Sequence, residues 1–129
     1  MSNVYLDASA LTKLIIEESE TAVLQDLVRG HGLVSSRIAV VEVTKAVTRY
    51  DPDAEPIAFF SRVTFVELDA DLATAAGATG GPGLRALDAI HVATALVLRS
   101  EIQSFITYDT RQADAARAAG LHVIAPGPT

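Results

Sequence analysis

Phe105-Ile106-Thr107-Tyr108-Asp109 leads into Thr110-Arg111-Gln112-Ala113-Asp114-Ala115-Ala116-Arg117-Ala118-Ala119, and Gly120-Leu121-His122-Val123-Ile124 follows. Residues 105–108 form a short, largely apolar run, 110–119 have helical composition, and Gly120 stands where a helix is capped. Residues 122–124 then resume the strand pattern. Strands joined through a helix run parallel, and helices on both faces leave them without a polar side.

The same alternation extends upstream. Strand-like runs occupy residues 4–6, 33–35 and 65–68. Between them, helices are expected from Ser9 or Ala10 to about Glu18, over 21–28 ahead of Gly30, and from a Ser35 or Ser36 cap to Arg49 or Tyr50. Further helices are expected over 56–62, from Asp69 or Ala70 to Ala76, and from Leu84 to Leu98. The last of these is apolar nearly all round and should be buried. Asp51-Pro52-Asp53 and the glycine cluster 77–83 break the pattern. The expectation is a three-layer α/β/α fold with a mainly parallel five-stranded sheet, one domain over residues 1–125 and a loose tail at 126–129.

Composition narrows the function. Half of the 129 residues are hydrophobic, which excludes disorder. The apolar stretch near 86–98 is interrupted by Asp88 and His91 and is too short to span a bilayer. The N-terminus shows no signal-peptide pattern and the chain has no cysteine, which fits a cytoplasmic protein. Sixteen acids against ten bases argue against passive coating of nucleic acid, which requires basic surface. They do not exclude an enzyme whose metal ions supply local positive charge, and they favour a basic protein partner.

Four acids sit where strands end or helices run. Asp7 follows Val4-Tyr5-Leu6, Glu42 lies two turns into the helix after strand two, Asp88 starts the apolar helix, and Asp109 ends strand four. Ligands of open parallel sheets bind beyond the carboxyl ends of the strands, so neighbouring first and fourth strands would face all four acids to one cleft. At roughly 6 Å and an effective dielectric of about 20, each pair of carboxylates repels by about 2.8 kcal/mol. Bound cations or raised pKa values must relieve that repulsion. Oxygen-only ligands suit Mg²⁺ or Mn²⁺, and phosphodiester hydrolysis is chemistry such ions support.

With these residues in view, the chain resembles the PIN-domain family, and within it the VapC-type toxins of toxin–antitoxin pairs. Leu6-Asp7-Ala8-Ser9-Ala10-Leu11, Val40-Val41-Glu42-Val43, the segment from Leu84 to Ala95, Phe105 to Asp109, and Ala119 to Ile124 carry the likeness in order. The resemblance implies Mg²⁺- or Mn²⁺-dependent endoribonuclease activity, a homodimer, and a VapB-like antitoxin whose tail enters the acidic pocket. It implies that Asp7 and Asp88 hold metal most directly, with Glu42 and Asp109 assisting. Ser9 and Thr107 are candidates to orient a carboxylate or a water. Arg37, Arg85 and Arg111 lie near the expected cleft as candidate RNA-phosphate contacts.

Plainer readings stand beside these. Asp7, Asp88 and Asp109 are each placed to cap a helix, and Glu42 is spaced to pair with Lys45 or Arg49. Asp69 and Asp71 read as first-turn charges. Asp114 is close enough in sequence to join the site, and His91, one turn beyond Asp88, is a core histidine or a partner of that acid. A phosphoacceptor receiver domain is excluded because no lysine follows Lys45, and a dinucleotide fold because the glycines do not follow the first strand. The remaining alternative is a PIN-like RNA- or protein-binding scaffold without catalytic activity.

Overall fold

The computed structural model describes residues 2–128. Strands β1 (Asn3–Leu6), β2 (Gly32–Ser36), β3 (Val63–Val66), β4 (Ile102–Ile106) and β5 (Val123–Ile124) form one sheet in the order β3-β2-β1-β4-β5. Every pairing is parallel. The order reverses at the first strand, so β1 and β4 are neighbours, and Leu6 pairs with Ile106 at their carboxyl ends. That junction is the place where an open α/β sheet offers a binding cleft.

Alternation along the strands divides the core in two. Val4, Leu6, Leu33 and Ile106 pack on one face with Leu11 of α1 (Ala8–Ile15), Leu24 of α2 (Thr21–Val28) and Val43 of α3 (Ile38–Tyr50). The short α4 (Ile57–Phe60) adds Phe59 and Phe60 to that layer. Tyr5, Val34 and Phe105 face the other way, against Val92 of α6 (Ala86–Val97) and Ala116 of α7 (Thr110–Ala118). Leu72 and Ala76 of α5 (Ala70–Gly77) pack on α6 through Ala93. The three-layer α/β/α expectation is borne out.

Two strands are shifted from the sequence reading. β4 starts three residues before the expected run, because Ile102 and Ser104 pair with Asn3 and Val4 of β1, with Gln103 as the extra residue at a shift in register between them. It ends at Ile106 because the Thr107 hydroxyl accepts from the Asp109 N–H, 3.1 Å away, and turns the chain out of the sheet. β3 begins at Val63 and leaves Glu67 and Leu68 outside, where Glu67 meets Arg37. α7 closes as expected: Gly120 adopts φ +94°, and the Leu121 N–H reaches back to the Ala116 carbonyl at 3.0 Å. At the tail, the Tyr108 hydroxyl donates to the Pro126 carbonyl, while Thr129 lies outside the described residues.

Candidate active site

Asp7 is the first residue beyond β1 and the N-cap of α1. Its Oδ1 accepts from the Ser9 hydroxyl at 2.6 Å and the Ala10 N–H at 3.0 Å, and its Oδ2 accepts from the Thr107 hydroxyl at 2.5 Å. The carboxylate is 2% exposed, and burial raises its pKa above the ordinary aspartate value even though these donors pull the other way. Ser9 and Thr107 are fixed in turn, since the Ser9 oxygen accepts from the Tyr108 N–H at 2.9 Å. The cap of α1 is thus also a buried carboxylate with every oxygen hydrogen-bonded.

Thr107 carries the connection to Asp109, whose N–H it accepts. Asp109 caps α7 through Oδ1, which takes the N–H groups of Arg111 and Gln112 at 2.9 and 3.3 Å. Its Oδ2 lies 3.6 Å from Arg85 Nη2, and the same guanidinium places Nε 3.3 Å from Oδ2 of Asp88. Asp88, in the first turn of α6, also accepts from Gln112 Nε2 at 3.0 Å. One arginine therefore spans two of the acids as a monovalent cation.

Glu42 reaches the group from α3. Its Oε1 is 2.7 Å from His91 Nε2, and His91 Nδ1 is 2.7 Å from the Tyr5 hydroxyl. His91 and Tyr5 are buried, and Glu42 keeps 23% of its side chain exposed. An open depression of about 440 Å³ beside it is lined by Ser9, Lys13, Glu42 and Tyr108. A separate cavity of about 400 Å³, between α2 and Arg62, holds none of the four acids.

The donor set fits a hard divalent cation in its chemistry: carboxylate oxygens, one of them buried with a raised pKa and two sharing a guanidinium. Among the described residues no three acidic or histidine side chains are yet disposed to share one ion.

The model of the PIN domain matches residues 4–118. This chain belongs to the PIN domain family. The kinship with VapC-type members is borne out by similar proteins from Mycobacterium tuberculosis. Ribonuclease VapC35 is 37% identical over 131 residues, covering 96% of this chain and 97% of the relative. Ribonuclease VapC46 is 36% identical over 129 residues, covering 98% and 99%. Two solved structures share the fold: a chain of a toxin–antitoxin complex from Klebsiella pneumoniae, with TM-score 0.74 and 22% identity, covers 98% of this chain and 100% of its own length. Mycobacterium tuberculosis VapC20, a sarcin-ricin loop cleaving toxin, gives TM-score 0.70 at 18% identity, with 96% and 100% covered.

Within this PIN domain, Asp7, Asp88 and Asp109 are linked by hydrogen bonds and ion pairs through Thr107, Gln112 and Arg85, whereas Glu42 belongs to a separate chain of hydrogen bonds with His91 and Tyr5. Glu42 pairs with His91, not with Lys45 or Arg49, and His91 does not bond to Asp88. Arg85 lies on the acids, whereas Arg37 is bound to Glu67 by three contacts of 2.6–3.1 Å. Arg111 is exposed and gives Asp109 its backbone N–H, and Asp114 lies 3.9 Å from Arg117 on the surface. Gln112 was missed, as was Tyr5. The signal for Gln112 was present: Asp109-x-x-Gln112 has capping-box spacing, although its amide reaches Asp88 instead of the cap.

Proposed function

We propose that this PIN domain is a toxin ribonuclease: an endonuclease, dependent on Mg²⁺ or Mn²⁺, that hydrolyses RNA phosphodiester bonds. It works in the cytoplasm as a homodimer, restrained by a VapB-like antitoxin whose basic tail enters the acidic cleft. The observation that carries this reading is the network joining Asp7, Asp88 and Asp109 beyond the adjoining ends of β1 and β4. Relatives named as ribonucleases at 36–37% identity support it.

Asp7 and Asp88 are the residues that would hold the ion most directly, with Glu42 and Asp109 completing the set. When bound, the ion supplies Lewis-acid chemistry, acidifying water for in-line attack and offsetting phosphodiester charge. Ser9 and Thr107 keep both Asp7 oxygens in one orientation, and Gln112 does the same for Asp88. Arg85, freed from the two acids, is the arginine best placed to grip an RNA phosphate as a planar fork. The homodimer follows the likeness to VapC-type toxins, and light scattering tests it against a 13.6 kDa species.

Incubating the purified protein with structured RNA in Mg²⁺, Mn²⁺ or EDTA tests the reading. Cleavage that EDTA, Asp7→Asn and Asp88→Asn each abolish is the expected result. RNA left intact by the wild-type protein under every condition overturns the enzyme and favours a binding scaffold.

A further inference from the structure

We infer that His91 is a positioning residue for this PIN domain: locked in one tautomer by the Tyr5 hydroxyl, its imidazole holds the Glu42 carboxylate in place at the acidic cleft. The inference rests on the reading that Glu42 belongs to a metal-dependent ribonuclease site.

The geometry is a chain of two short hydrogen bonds across three elements. Tyr5 on β1 meets Nδ1 of His91 on α6 at 2.7 Å, and Nε2 of the same ring meets Oε1 of Glu42 on α3 at 2.7 Å. Tyr5 is 0% exposed and His91 1% exposed, so neither has water as an alternative partner. α3 and α6 belong to opposite helical layers of the sheet. The Glu42–His91 bond therefore ties one layer to the other around the sheet's end.

The proton positions follow from chemistry. A carboxylate oxygen 2.7 Å from Nε2 requires a hydrogen on that nitrogen, since a lone pair facing it would be repelled. In the neutral ring Nδ1 is then an acceptor, and the Tyr5 hydroxyl must donate. A phenol, whose ordinary pKa is about 10, keeps the proton this requires at neutral pH. The ring edges meet at 79°, and Tyr5 is itself stacked on Phe105, which restricts motion of the whole relay.

The function of such a relay is entropic and directional. Glu42 has a long, partly exposed side chain that would otherwise sample several rotamers. A fixed imidazole donor selects one of them before any cation arrives. Outer partners of metal-binding groups commonly change metal affinity or activity about 10- to 100-fold when removed. The same order is expected here.

Mn²⁺ titration by calorimetry is the test, with three variants and one spectrum. His91→Leu, which removes both bonds, is expected to weaken Mn²⁺ binding about 10- to 100-fold. His91→Gln, which restores a donor toward Glu42, should recover much of that loss. Tyr5→Phe should weaken binding less than His91→Leu. With Glu42→Ala already present, His91→Leu should cost nothing further, because the residue acts only through Glu42. Unchanged Mn²⁺ affinity in His91→Leu, or an equal loss in the Glu42→Ala background, overturns the inference. Should His91→Leu not fold, ¹⁵N-histidine NMR of the wild-type protein decides: Nε2 protonated and Nδ1 bare is expected, and the opposite tautomer overturns it. Wild-type protein that takes up no Mn²⁺ sinks the enzyme reading instead, and the tautomer spectrum needs no metal.

Discussion

Thr107→Val removes one hydroxyl and keeps the side chain's shape. That hydroxyl donates to Oδ2 of Asp7 at 2.5 Å and accepts from the Asp109 N–H at 3.1 Å, and the residue is fully buried. A hydrogen bond to a charged group contributes about 1.5–3 kcal/mol, and an orphaned N–H of a half-buried residue adds about 1 kcal/mol. The expected loss at neutral pH is therefore about 2–4 kcal/mol, roughly 10 °C in Tm for a chain of this length. In acid, Asp7 takes up a proton and the lost bond becomes a neutral one, so the difference should shrink to about 1 kcal/mol. Urea unfolding of both proteins across acid and neutral pH measures this directly. A loss below about 0.5 kcal/mol at neutral pH, or one that does not change with pH, refutes the claim that Thr107 braces an ionised, buried carboxylate.

Three further outcomes are expected. Because burial raises the folded pKa of Asp7, its protonated form favours the fold: that contribution is complete below the unfolded value, about 3.9, and is lost as pH rises through the folded value. Mn²⁺ favours the ionised form, so its effect on the thermal midpoint should grow across that window, reaching about 2.7 kcal/mol at a hundredfold excess over Kd; calorimetric scans that show no growth contradict this. Arg85→Gln should lower the half-saturating Mn²⁺ roughly fivefold, since two partly solvated ion pairs at about 0.5 kcal/mol each no longer compete, and a titration showing weaker Mn²⁺ binding speaks against it. Arg37→Ala should leave RNA cleavage within about twofold, because a solvated pair with Glu67 contributes under about 1 kcal/mol, and a large loss of rate would return Arg37 to the RNA surface.

The parallel sheet was legible because each strand carries apolar residues on both faces, and because Asp7, Asp69 and Asp109 cap helices while Gly120 closes the last one. Asp7 and Asp109 could be placed from the strand ends, which the pairing of β1 with β4 brings side by side, whereas Glu42 and Asp88 stand on helices whose approach depends on tertiary packing. β4 was harder: Gln103 and Ser104 look like loop residues, and the strand there depends on Ile102 and Ser104 pairing with β1 around an unpaired Gln103. The relay from Tyr5 to Glu42 was hidden for a similar reason. Its members are separated by dozens of residues, and an isolated buried histidine gives no sign of which acid it meets. Arginines are the least readable class, since Arg37 and Arg85 differ only in which carboxylate lies within reach of a long, flexible side chain.

Crystals soaked in Mn²⁺ offer the most direct measurement, because anomalous scattering locates the ion without reference to activity. A peak bonded to carboxylate oxygens of Asp7 and Asp88, with the Arg85 guanidinium displaced from Asp88, is the predicted result. A peak at unrelated surface acids, with these carboxylates still bound to their present partners, would contradict it.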